Sequence, residues 1–102
     1  MNNKFLSMLG LARRAGKTVF GYDKALASIH AKKVFAVFCA NDLSEKTKKG
    51  LVYAAENSNI KIISVSETLF EITTAVGMKT GIVGITDIGF ANRLIELCES
   101  DR

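Results

Sequence analysis

Residues 34–40 read Val-Phe-Ala-Val-Phe-Cys-Ala, apolar at all seven positions and rich in β-branched and aromatic side chains. The run is too short for an ordinary helix, so it reads as a central strand covered on both faces. Phe35 and Phe38 fall on opposite sides of such a strand, which predicts one aromatic anchor for each face. It is also the longest uninterrupted apolar run in the chain. A membrane span needs about 20 residues, so none is signalled.

Patterns on either side of this run alternate between helical and extended periods. Toward the amino terminus, Phe5, Met8, Leu9, Ala12 and Ala15 recur at three and four, predicting a helix from Lys4 to Ala15 that ends at Gly16. Thr18, Val19 and Phe20 form a short strand stopped by Gly21, and a second helix runs from Tyr22 to about Ala31 with Ala25, Leu26 and Ile29 inward. Toward the carboxyl terminus, Asn41–Ser44 turns the chain and Ser44 caps a helix over Glu45–Glu56 with Leu51, Ala54 and Ala55 inward. Ile60–Val65 is a strand, and Ser66 or Thr68 opens a helix that Gly77 ends. Gly77–Gly81 is a loop, Ile82–Thr86 a strand, and Asp87 caps a last helix to about Glu99. This alternation predicts one α/β domain over residues 1–102, a three-layer α/β/α sandwich with a four-stranded mixed sheet and helices on both faces. The short first strand is the expected sheet edge.

Composition bounds the function classes. The 102-residue chain is 48% hydrophobic and 24% charged, which fits a globular fold rather than disorder. The amino terminus is too interrupted by polar residues for the apolar core of a signal segment, and a cytoplasmic protein is expected. Two cysteines without CxxC spacing and one histidine, His30, support neither a disulfide framework nor a metal site. No GxGxxG or GxxxxGK[ST] cradle occurs, and Asp42, Glu45, Glu56 and Asp87 are scattered among turns and caps rather than paired. Cys39 reads as a small core residue, Cys98 as a packing residue and His30 as a surface residue at a helix end. No cofactor, small-molecule substrate or catalytic group is expected.

Charge is concentrated instead. Residues 1–33 carry seven Lys/Arg against one Asp, whereas residues 67–102 carry three against six. The densest part is LGLARRAGKTVFGYDKAL, residues 9–26, where Arg13, Arg14 and Lys17 adjoin Gly16 and Gly21. Arg13 and Arg14 also suit the last turn of a helix, where the dipole favours cations. Tyr22 is read either as a ring for stacking on an unpaired base or as a partly buried cap over its helix start. Lys46, Lys48 and Lys49 stand against the dipole at another helix start and point to an anionic partner.

LGLARRAGK (9–17), VFAVFCANDLSEKTKK (34–49) and TDIGFANRLIEL (86–97), in this order of elements, resemble the bacterial YlxQ-type branch of the ribosomal kink-turn-binding superfamily. The resemblance covers nearly the whole chain. It implies a small, non-enzymatic, ribosomal-protein-like RNA binder, with structured RNA and the ribosome as partners. RNA would be held by a glycine-led helix start and the loop before the last strand. Kink-turn binders carry Gly-x-Asn-Glu at that start; here the positions are Gly21, Tyr22, Asp23 and Lys24, and a lysine further along falls on Ala27. The loop corresponds to Met78, Lys79, Thr80 and Gly81, with Lys79 replacing a carboxylate. Arg13, Arg14 and Lys17 would add supporting charge. The alternative is a protein-interaction module on the same fold that has lost kink-turn specificity.

Overall fold

A computed structural model describes residues 3–100. Its elements run α1 (Lys4–Arg14), β1 (Thr18–Phe20), α2 (Tyr22–His30), β2 (Ala36–Cys39), α3 (Glu45–Ala54), β3 (Lys61–Ser64), α4 (Leu69–Val76), β4 (Ile82–Ile85) and α5 (Ile88–Ser100). The sheet order is β1-β4-β2-β3, with β2 and β3 parallel and the other pairs antiparallel. The expected sandwich with a mixed four-stranded sheet is therefore present, and β1 is an edge strand. β2 lies inside the sheet and is buried throughout.

Alternation along β2 builds the two cores. Ala36 and Phe38 face the layer of α1, α4 and α5, where Phe5, Leu9, Ile72, Val83 and Leu94 are buried with them. Phe5 and Phe38 meet edge to face at 5.3 Å. Val37 and Cys39 face α2 and α3 and pack with Ala25, Ile29, Val34 and Leu51. Gly84 is required on that second face: a Cβ there would collide with Val19 from β1 and crowd Val34.

One aromatic expectation is overturned. Phe35 anchors neither face; it precedes β2 and is 42% exposed. Its backbone is held at the sheet's end, its amide donating to the Ile85 carbonyl and its carbonyl accepting from Lys61. The buried strand is four residues rather than seven, and Val37 supplies the face that Phe35 leaves.

Local chemistry explains the ends. After α1, Gly16 has φ 74°, its amide donates to Arg13 and that of Lys17 to Ala12, a Schellman close. α4 starts with a reciprocal capping box between Thr68 and Glu71, and α5 with Asp87 accepting from the Phe90 amide at 2.9 Å. Asn3 caps α1 through the Leu6 amide and also donates to buried Glu67 at 2.7 Å, tying α1 to the turn before α4.

Candidate nucleic-acid interface

The register gathers several loops at one end of the sheet. Gly21 follows the last residue of β1, and its amide donates to the carbonyl of Ile82, the first residue of β4, at 3.1 Å. The start of α2 therefore lies directly beside the loop that ends at Gly81. The Ala40 amide donates to Gly81 at 2.8 Å, which brings the β2–α3 turn to the same end. Asn41 donates to the Ser66 carbonyl and Asp42 accepts from the Leu69 amide, so the starts of α3 and α4 join it. Three helix N-termini, those of α2, α3 and α4, converge there.

The α2 start differs from the other two. Gly21 is its N-cap, with φ 86° and ψ 166°, a region that essentially only glycine occupies, and no side chain caps the helix. The first intrahelical bond runs from the Ala25 amide to the Gly21 carbonyl, so the amides of Tyr22, Asp23 and Lys24 precede the ladder. A Cβ on Gly21 would meet nothing within 4 Å, so the space beside the cap residue is open. Asp23 and Lys24 are both exposed.

Tyr22 lies against α3. A Cβ on Gly50 would collide with its hydroxyl, and the ring edge is close behind, so Gly50 is the seat for this ring. Tyr22 keeps 36% of its surface exposed and lines an open groove with Leu26, His30 and Tyr53.

The loop before β4 divides. Met78 and Lys79 are exposed, while Thr80 and Gly81 are buried. The Thr80 hydroxyl bridges the Ile82 amide and carbonyl, its own amide donates to Thr73, and Gly81 fits between Leu43, Leu69 and Ala40. These two residues shape the loop, and Met78 and Lys79 are its surface.

The arginines and Lys17 also separate. Arg13 reaches the loop, its Nη1 3.7 Å from where a Cβ on Gly77 would sit. Arg14 lies beside Gly10 in the groove between α1 and α4. Lys17 is at the far end of β1, where its carbonyl accepts from the Thr86 amide. Four residues of extended chain put it about 13 Å from Gly21. Of the α3 cations, Lys48 turns inward, donating to the Asn41 carbonyl at 3.3 Å and standing 4.0 Å from Glu45; Lys46 and Lys49 are exposed. No periodicity signals the Tyr22–Gly50 seat or the Asn3–Glu67 bond; a glycine inside a helix pattern was the one available hint of the seat.

The cysteines behave as core residues. Burial pushes the Cys39 thiol up from 9.0 to about 11, against a smaller opposing pull from Lys48, so it stays protonated near neutrality. Among the described residues no group of His, Cys, Asp and Glu is arranged to hold a metal ion, and no helix is long and apolar enough to cross a membrane.

Comparison with known proteins gives the family of the chain. Residues 3–95 match the profile of the Ribosomal protein L7Ae/L30e/S12e/Gadd45 family. A protein of Enterococcus faecium named RNA-binding protein YlxQ is 36% identical over 96 residues, covering 94% of this chain and 92% of its own length. Its namesake in Bacillus subtilis (strain 168) is 30% identical, covering 94% and 96%. A structure from Bacillus halodurans described as a protein with unknown function superposes with a TM-score of 0.90 at 27% identity, over 96% of this chain and 99% of the other. The Giardia lamblia 15.5kD RNA binding protein shares the fold, with a TM-score of 0.76 at 16% identity over 98% and 89%. The chain belongs to the L7Ae/L30e/S12e/Gadd45 family of ribosomal proteins, as a YlxQ-type member.

Proposed function

We propose that this chain is a cytoplasmic, non-enzymatic, single-domain protein that binds structured RNA of the kink-turn class, with ribosomal RNA as its natural setting. The observation carrying this reading is the juxtaposition of an open, glycine-led α2 start with the exposed Met78–Lys79 loop, bridged by the Gly21–Ile82 bond. Uncapped amides and Lys24, Lys79 and Arg13 suit phosphate, and the Asp23 carboxylate suits the N–H edge of a guanine. Most of the affinity then comes from backbone contacts, which position RNA, with Asp23 as the base-reading group. Relatives named for RNA binding support the reading.

The test is titration of a kink-turn RNA against a plain duplex of equal length at several salt concentrations. The kink-turn RNA is expected to bind more tightly, and Lys24→Glu with Lys79→Glu to reduce the salt slope by about 1.4–1.8. Equal affinities reject kink-turn readout and leave general RNA binding standing. Absence of binding at low salt rejects the RNA reading, and binding unaffected by both reversals rejects the α2 start and Met78–Lys79 loop as its surface. A protein-interaction module is the second reading, favoured by Tyr53 and Phe70, which are 77% and 76% exposed on α3 and α4. Copurification with a protein that survives nuclease treatment, without salt-sensitive RNA binding, selects it.

A further inference from the structure

The opposite end of the sheet holds a second constellation. Register places Lys17, Thr86, Phe35 and Ile60 in one row just beyond β1, β4, β2 and β3. Phe35 opens there into a cavity of about 280 Å³ walled by Lys32, Val34, Asn57, Asn59 and Ile60. That is just below the range of about 300–1,000 Å³ for drug-sized ligands, and it suits one flat ring rather than a whole cofactor. Val34 and Ile60 supply an apolar floor, Phe35 an aromatic face, and the exposed amides of Asn57 and Asn59 both donors and acceptors.

Charge selects the ligand class. Lys17, Lys32 and Lys33 are exposed at this end, and none forms an ion pair with another described residue. Acids also approach this end: Glu56 precedes Asn57, Asp87 is engaged in capping α5, and Glu99 lines a neighbouring groove with Lys61. Lys32 is also held against backbone preference. It occupies the left-handed position after α2, φ 56°, with its amide donating to Ile29 and that of Lys33 to Ser28. Glycine suits that position best, so lysine there retains a cation at a conformational cost. Asn57, φ 63°, is the other non-glycine left-handed residue among those described, and it lines the same cavity.

We propose that this cavity is a second RNA contact, taking one unpaired nucleobase on Phe35 with its flanking phosphates on Lys32, Lys33 and Lys17. The proposal rests on the reading of the chain as an RNA-binding protein. It adds a single-strand site at the end of the sheet remote from Gly21, so that one molecule holds a structured element and an adjoining unpaired segment. Aromatic stacking and lysine contacts are sequence-tolerant, and the asparagine amides supply whatever base preference exists.

The experiment measures binding of a short, unstructured, uridine-rich RNA to the full chain by fluorescence anisotropy, in parallel with the kink-turn RNA. Phe35→Ala is expected to weaken the single strand about tenfold. Lys32→Gly is expected to lower its salt slope by about 0.7 while raising the thermal midpoint, a combination that unfolding cannot produce. Lys24→Glu is expected to leave the single strand nearly unaffected while weakening the kink-turn RNA. If the unstructured RNA does not bind, or binds with no sensitivity to Phe35 and Lys32, the second site is overturned while kink-turn binding keeps the first reading intact. Failure of both RNAs to bind overturns both.

Discussion

At Gly21 the backbone, not the surroundings, forbids a side chain. With φ 86° and ψ 166° and nothing within 4 Å of a notional Cβ, Gly21→Ala meets no clash and bears only conformational strain. It should lower stability by about 1–3 kcal/mol in urea denaturation, with a larger proportional loss of RNA affinity if the α2 start shifts. Cys39 gives a pH prediction of definite sign. Its thiol is neutral in the fold up to about 11, whereas the unfolded chain releases the proton near 9.0. The stabilisation is therefore complete below pH 9 and is lost as pH rises from 9 to 11, by about 2–3 kcal/mol. Cys39→Ala should lack this component, which comparison of urea midpoints at pH 8 and 11 would reveal. Several residues were legible from type and spacing alone, among them Gly21 as the α2 start, Cys39 as core and Asp87 as a cap. Phe35 was not, because apolar runs do not show where a buried strand begins; that depends on where the neighbouring strands stop.

α3 illustrates how two elements set each other's sequence. A glycine inside a helix costs roughly 0.5–1 kcal/mol relative to alanine, yet Gly50 sits mid-helix because Tyr22 of α2 lies over it. Gly50→Ala should thus fail to give the expected gain in wild type and give it in full in a Tyr22→Ala background. The coupling, about 1 kcal/mol, is measurable by a double-mutant cycle in urea. Element identity was readable throughout, since helical periods of three to four alternate with short apolar, β-branched runs between good caps. The interface was readable only in part. Sequence adjacency grouped Lys17 with Gly21, but an intervening strand sends them to opposite ends of the sheet, while Arg13, further away in sequence, returns to the loop at Gly77. Thr80 and Gly81 looked available in a short polar loop and are instead consumed by hydrogen bonds and packing.

Across the whole molecule, β4 joins the two halves of the sheet: β1 pairs with β4, and β2 has β3 on its other side. A chain cut after residue 80 should therefore show no cooperative unfolding transition, as urea titration followed by circular dichroism would report. During synthesis, residues 1–80 emerge with Thr18–Phe20 lacking a partner strand and one flank of β2 bare. The nascent chain thus passes through a stage with two open strand edges that residues 82–85 close in a single insertion. Completion of this sheet therefore waits on residues 82–85, the last of its four strands in chain order, and until they are made the edges of β1 and β2 stand unpaired.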